Sequence, residues 1–301
     1  MRLIRWPGEE LPLQEPSVVT LGVFDGVHRG HAALIRQVVE AAGRRDCRAA
    51  LVTFDRHPGA LLRARTEPAI TSLEHRIRLF RGFGVDLCVV VRFTEDVASM
   101  TAAEFLRRVF HDLLSARLLI LGDDCRFGRG REGDVALCRR LGPELGFEVR
   151  TVASVEVDGR RVSSTAIREA ILAGESERAE SLLGRPFSLY GTVVRGEGRG
   201  HRLGYPTANL DLHNETIPPD GVYAGWVFTD GEPLAGVVSV GRRATFHCES
   251  DAERVVEVHL LDRGEDLYGR DIEVQFVERL RGQQTFESAE ALKAQIARDV
   301  A

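Results

Sequence analysis

The chain has 301 residues, 44% hydrophobic and 28% charged, a globular composition with room for one large domain or two ordinary ones. A net charge of −5 argues against non-specific nucleic-acid binding, which needs an excess of Lys and Arg to neutralise phosphates. Five cysteines with no C-x-x-C pair argue against a disulfide framework or a cysteine zinc site; with no apolar run of signal-peptide or membrane-spanning length, they lead us to expect a cytoplasmic protein without membrane contact. In chain order, residues 18–24 (VVTLGVF) read as a strand ending in the turn DGVHRG. The pattern continues with a helix over 31–44, a strand over 48–54, a helix over 73–82, a strand over 86–93 and a helix over 101–114. A strand over 117–121, a helix over 133–141, a strand over 147–152 and helices over 165–173 and 176–183 complete this half. Short apolar runs alternating with amphipathic helices predict an α/β unit whose parallel sheet is covered on both faces. After Gly184-Arg185-Pro186 the texture changes. β-rich runs at 187–195, 222–229, 234–240, 254–262 and 271–278, separated by turn signals, predict a small antiparallel barrel. Residues 287–300 read as an amphipathic C-terminal helix, and the expected domains are 1–184 and 185–301.

The strongest local signal of the first half is LGVFDGVHRGH, residues 21–31. A strand ends, glycines turn the chain, and a helix opens. Helix starts offer unpaired N–H groups and the positive end of a dipole, so they hold phosphates. Gly22, Phe24 and Gly30 belong to this phosphate-binding turn, and His28 and His31 are spaced so that both imidazoles can face one ligand. Two such donors can stabilise charge that builds during attack at phosphorus. Ser163, Ser164 and Thr165 are natural N-cap residues for a helix near Ala166, with Arg168 in its first turn, able to reach a bound phosphate. Asp55 and His57 end a strand, where open parallel sheets place ligands, and Asp124 and Phe127 sit on a glycine-rich loop that can flank a ring system.

In the second half, GTVVRGEGRGHRLGYPTAN (191–209) brings Gly198 and Gly200 into a loop suited to close phosphate approach. It is neither a P-loop, since no Gly-Lys-Ser/Thr follows, nor a dinucleotide fingerprint, since Pro206 forbids the required helix. Thr207 and Asn209 alternate onto one face of an extended segment, where a hydroxyl and an amide oxygen suit magnesium and ATP phosphates.

These segments resemble the bifunctional prokaryotic FAD synthetases. G-V-F-D-G-V-H-R-G-H is similar to the H-x-G-H motif of the nucleotidyltransferases in the branch these enzymes occupy. TFDRHP (53–58), GDDCRFGRGREGD (122–134) and VSSTAIREAI (162–171) follow the same family. LGYPTAN, GVYAG (221–225), VSVGRRATF (238–246) and VEVHLLDRGEDLYG (256–269) resemble its riboflavin kinase half. The resemblance implies a Rossmann-like FMN adenylyltransferase domain followed by a six-stranded kinase barrel with a C-terminal helix. It implies that ATP is a co-substrate, that Mg2+ serves both steps, and that riboflavin, FMN and FAD are the other ligands. It also implies His28, His31, Arg168 and Glu257 as catalytic, Glu257 being the base that takes the proton of riboflavin's primary alcohol. Ser164, Thr165, Gly198, Gly200, Thr207 and Asn209 then join the ATP sites, while Asp55, His57, Asp124, Phe127 and Arg243 join the flavin sites. Adenylyl transfer needs no comparable base, because FMN's phosphate, with a second pKa of about 6, is already anionic at neutral pH.

Departures from the family pattern are Arg56, Cys125, His201, Ala244, Arg263 and the segment RLRGQQTF (279–286). They keep two other readings in play: an enzyme with only the adenylyltransferase active, and a flavin- or nucleotide-binding regulator. His75, His111, His213 and His247 read as structural or surface residues, and self-association is not legible.

Overall fold

A computed structural model describes residues 1–8, 12, 15–59, 67–196, 198, 200, 203–229, 231–242, 254–261 and 267–301. Contacts divide the chain into two units, Met1–Ala69 with Leu73–Ser164, and Ile70–Ser72 with Thr165–Ala301. The exchanged tripeptide has a physical anchor in the second unit: Asn214 Nδ2 donates to the Ile70 carbonyl at 2.6 Å, and the Ile70 side chain is buried.

The first unit carries strands β1 (Arg2–Trp6), β2 (Ser17–Leu21), β3 (Arg48–Phe54), β4 (Leu87–Val91), β5 (Ala116–Gly122) and β6 (Glu148–Val152). They form one parallel sheet in the order β1-β4-β3-β2-β5-β6. Every residue of β2 and β4 is buried, as expected of apolar-rich strands covered on both faces. On one face, Val18, Leu51 and Val90 pack with Leu34, Ile35 and Val38 of α1 (Arg29–Arg45). On the other, Val19, Leu21 and Val89 pack with Phe105 and Phe110. Helices α2 (Leu73–Arg81), α3 (Glu95–Ser99) and α4 (Ala102–Phe105) follow in turn, α4 running on into a π-helical stretch, Leu106–Leu113.

Three features before residue 164 stand out against the sequence reading. Strand β1 was not foreseen, because RLIRW is short and arginine-flanked, yet its Ile4 and Trp6 are buried beside β4. Helix α5 (Val135–Leu145) runs through Gly142-Pro143, beyond the expected end at 141. There Gly142 lets the returning chain close, since a Cβ would lie 2.6 Å from the Phe147 carbonyl oxygen, and Gly146 ends the helix in the left-handed region. A small hairpin, β7 (Glu156–Val157) with β8 (Arg160–Arg161), is the third.

Helix α6 (Ser164–Ala173) starts two residues before the expected point, so Ser164 and Thr165 lie inside its first turn and Arg168 is its fifth residue. Helix α7 (Ser176–Leu183) ends at Gly184 with φ 78°. Strands β9 (Ser188–Val194), β10 (Ala208–Leu212), β11 (Gly221–Phe228), β12 (Leu234–Arg242), β13 (Arg254–Leu260) and β14 (Asp271–Arg281) close into an antiparallel barrel, β10-β13-β12-β11-β14-β9. Val238, Val240, Val256, Val258 and Val274 fill its interior. The C-terminal helix α8 (Ala289–Val300) is tied to β14 by Arg281, whose Nε and Nη2 donate to the Asp299 carboxylate at 2.7–3.1 Å.

Candidate functional site

In the first unit the strand order reverses between β2 and β5. The chain leaves β2 for β3 and β4 on one side and returns to β5 on the other. Ligand crevices of open parallel sheets lie outside the carboxyl ends at such a point. A cleft of about 780 Å3 lies there, lined by Gly22, Phe24, His28, Gly30 and His31 after β2 and by residues 122–131 after β5.

His28 is the N-cap of α1, and its Nδ1 accepts the His31 backbone N–H at 3.3 Å. Nδ1 is therefore the unprotonated nitrogen, which leaves the proton of a neutral ring on Nε2. The two imidazoles stack 3.6 Å apart at 17°. The Phe24 ring meets His31 edge-on at 5.2 Å and Phe80 at 5.6 Å, so the pair rests on a rigid aromatic floor. Glycine is favoured by space at two points. A Cβ on Gly30 would lie 3.1 Å from His28 Cε1, and one on Gly22 would lie 3.1 Å from Phe24 Cζ. Phe24 and Val27 hold φ of 56° and 41°, a conformation costly for residues with a side chain and tolerated here because both are buried.

Arg76 of α2 is a site-supporting residue that the motifs did not reveal. It is buried, and it donates to Val23 O, to Thr53 Oγ1 at 2.9 Å and to Phe54 O at 3.1 Å. It thereby locks the chain after β2 to the end of β3. Burial lowers its pKa, opposed chiefly by the charge of Asp25. Its signal in the sequence is a charge on an apolar helical stripe, three residues after Leu73 and four before Phe80.

Asp55 and His57 do not line the cleft, whereas Phe54 and Pro58 do. Asp55 Oδ1 accepts the backbone N–H of Arg56 at 2.8 Å and of Phe93 at 2.9 Å, joining the ends of β3 and β4. His57 Nδ1 accepts the Gly59 N–H at 3.0 Å. Asp124 lines the cleft and forms an ion pair with Arg161 of β8, which also lines it. Phe127 is buried between Phe105 and a bridge to Gly133, presenting an apolar wall. Cys125 stands beside them. Burial, reinforced by Asp124, pushes its thiol up to about 12, so it is a neutral packing group and not a nucleophile. Arg126, Arg129, Arg131 and Arg161 give the cleft a cationic side. Ser164 also lines it, its hydroxyl donating to the Asp25 carbonyl at 3.0 Å. Thr165 and Arg168 belong to the second unit, where Thr165 is exposed and Arg168 is buried on α6.

The second constellation lies on the outer face of the barrel. Asn209 of β10 is directly opposite Glu257 of β13. Opposed residues in an antiparallel pair share a face with Cβ atoms about 4.5–5.5 Å apart. The loop before β10 folds over this row: a Cβ on Gly196 would overlap the Asn209 carboxamide, and one on Gly200 would overlap Tyr205 O and approach Thr207 Oγ1 to 3.0 Å. Gly198, with φ 67°, has open space where a Cβ would stand. His259, two residues beyond Glu257 on the same face, was not singled out in the sequence. Its Nδ1–H donates to Pro206 O at 2.8 Å and its ring meets Tyr205 edge-on, which pins GYPTAN to β13. Arg243, like the departures His201, Ala244 and Arg263, lies outside the described residues.

Comparison with known proteins agrees with this division. The FAD synthetase family profile matches residues 11–166, and the riboflavin kinase profile matches residues 183–301. A bifunctional riboflavin kinase/FMN adenylyltransferase of Escherichia coli K12 is 42% identical over 288 residues, 95% of this chain and 91% of that protein. The protein of the same name from Pseudomonas fluorescens is 40% identical over 301 residues, 100% of this chain and 96% of that one. In structure, a macrolide-efflux protein from Streptococcus pneumoniae superposes with a TM-score of 0.84 at 32% identity, covering 99% of this chain and 97% of its own. Among the described residues here, no helix is long and apolar enough to cross a membrane. Matched in both halves and along nearly its whole length, the chain belongs to the bifunctional riboflavin kinase/FMN adenylyltransferase family.

Proposed function

We propose that this chain makes FMN from riboflavin and ATP in its barrel, and FAD with pyrophosphate from FMN and ATP in its α/β unit. The reading is carried by one observation above the others: two stacked imidazoles at the start of α1 open into a cleft large enough for a nucleotide and a flavin ring. In that cleft, an anionic phosphate oxygen of FMN attacks the α-phosphorus of ATP and pyrophosphate leaves. The Nε2–H of His28 and the His31 ring neutralise the charge that develops, while Gly22, Phe24, Gly30 and Ser164 hold the phosphates; Thr165 and Arg168 keep the phosphate roles that the family motif implies. Phe127 and Asp124 flank the flavin, and Asp55 and His57 shape its side of the site from the strand ends.

In the barrel, Glu257 takes the proton of riboflavin's terminal hydroxyl as that oxygen attacks the γ-phosphorus and ADP leaves. Gly198 and Gly200 approach the phosphates, and Arg243 contacts the flavin. Thr207 and Asn209 fit Mg2+. They offer two neutral oxygens beside a backbone with no room for a Cβ at Gly196 or Gly200, and would hold the ion, which would supply charge neutralisation at the phosphates. On this reading residues 1–184 serve adenylyl transfer and residues 185–301 phosphorylation, the break following the Gly184 cap. The enzyme works in the cytoplasm, where Cys47, Cys88, Cys125 and Cys138 stay as free thiols.

Incubation with riboflavin, ATP and magnesium tests the whole reading: FMN and then FAD are expected, and flavin binding without either product would refute it. Glu257→Gln should abolish FMN formation and spare FAD formation from supplied FMN. The His28→Ala, His31→Ala double variant should do the reverse.

A further inference from the structure

Glu257 has a second cross-strand neighbour. On β12, Ser239 is directly opposite it, so Asn209, Glu257 and Ser239 form one row across three strands. The residues that alternate with them, Val238, Val240, Val256 and Val258, are buried inside the barrel, which puts the row on the outer face. Ser239 is itself held. Gln283, in the segment between β14 and α8, donates from Nε2 to Ser239 Oγ at 3.1 Å and to the Val240 carbonyl at 2.8 Å. The approach depends on Gly241, where a Cβ would lie 3.1 Å from Gln283 Nε2. The segment is anchored on one side by the Arg281–Asp299 ion pair and on the other by the Ser288 cap of α8. A serine oxygen that accepts from an amide keeps its own proton to give away. The carboxylate opposite, at cross-strand distance, is an acceptor on the same face.

We propose that Ser239 is a positioning residue for phosphoryl transfer to the flavin alcohol. Among the described residues Ser239 Oγ meets Gln283 Nε2; in the substrate complex its own proton turns to the Glu257 carboxylate opposite and fixes the direction of the lone pair that receives the substrate proton, while Gln283 fixes Ser239. The inference rests on the reading of Glu257 as the base. It gives RLRGQQTF, the segment that departs from the family pattern, a part in the reaction: its Gln283 amide reaches the base through one serine.

The test uses the full-length enzyme with riboflavin, ATP and magnesium. Ser239→Ala should lower kcat for FMN formation by about 10- to 150-fold, the loss of one hydrogen bond to a charged group, with KM for riboflavin and ATP unchanged. Ser239→Thr, which keeps the hydroxyl, should recover most of the rate, and Gln283→Ala should lower kcat in the same direction by less. FAD formation from FMN reports that the chain is folded. Wild-type kcat in Ser239→Ala, a change confined to KM, or an equal loss in Ser239→Thr overturns the proposal. Glu257→Gln separates the two ideas. If it still makes FMN, the base assignment is wrong; if it is inactive while Ser239→Ala is fully active, only the role of Ser239 is wrong.

Discussion

Gly30→Ala sets two local effects against each other. Gly30 is the second residue of α1, and alanine there favours the helix by up to about 1 kcal/mol. The new methyl, however, lies 3.1 Å from Cε1 and 3.2 Å from Nδ1 of His28, closer than comfortable contact, so the ring must move by a few tenths of an ångström. It has little room to do so. His31 stacks on it at 3.6 Å, its Nδ1 is held by the His31 N–H, and only 7% of the residue is exposed. Misplacement by 1 Å costs about 100-fold in a positioned reaction, so a shift of a third of that should cost roughly 3- to 10-fold in kcat. Stability should stay within about 1 kcal/mol of the parent, a Tm change of about 2–4 °C in either direction. The assay is FAD formed from FMN and ATP, with FMN formation from riboflavin as the internal reference and thermal unfolding alongside. Unchanged adenylyl transfer, or equal loss of both activities, would refute the claim that this glycine exists to seat the His28 ring.

In the barrel, Gly196→Ala would drive a methyl into the Asn209 carboxamide. FMN formation should fall at least about 100-fold while FAD formation from FMN persists, and retention of kinase activity would count against Asn209 as a phosphate or metal ligand. Arg76→Leu strips partners from the Val23 and Phe54 carbonyls; at about 1–3 kcal/mol for each buried group it should lower the urea midpoint by an amount worth about 2–6 kcal/mol, and an unchanged midpoint contradicts its locking role. At Asp299, burial raises the carboxyl pKa, but hydrogen bonds from Arg281 and Gln295 outweigh it and leave the value below the ordinary 3.8. The stability this contributes is therefore complete above 3.8 and lost as pH falls through the lower folded value. Asp299→Asn should weaken the chain at neutral pH and flatten its acid-side stability curve, and parallel curves for parent and variant would contradict this.

Local order in the sequence was enough to establish both architectures and to single out the residues proposed as the chemical poles of each site. Unbroken apolar runs such as LCVVV demand burial on two faces, alternating runs such as RVVEVHL demand one, and H-x-G-H at a strand-to-helix turn places two imidazoles at a helix start. Tertiary structure alone decided what surrounds those poles. Arg76 looks like any helical arginine until its stripe turns inward, β1 becomes a strand only when β4 offers it an edge, and Asp55 proves to spend an oxygen tying two strand ends together. The pairings of Glu257 with Asn209 and Ser239, and of Ser239 with Gln283, join residues separated by 18 to 48 positions. No periodicity encodes such neighbours, because register between distant strands is set by barrel closure, and closure is a property of the whole sheet.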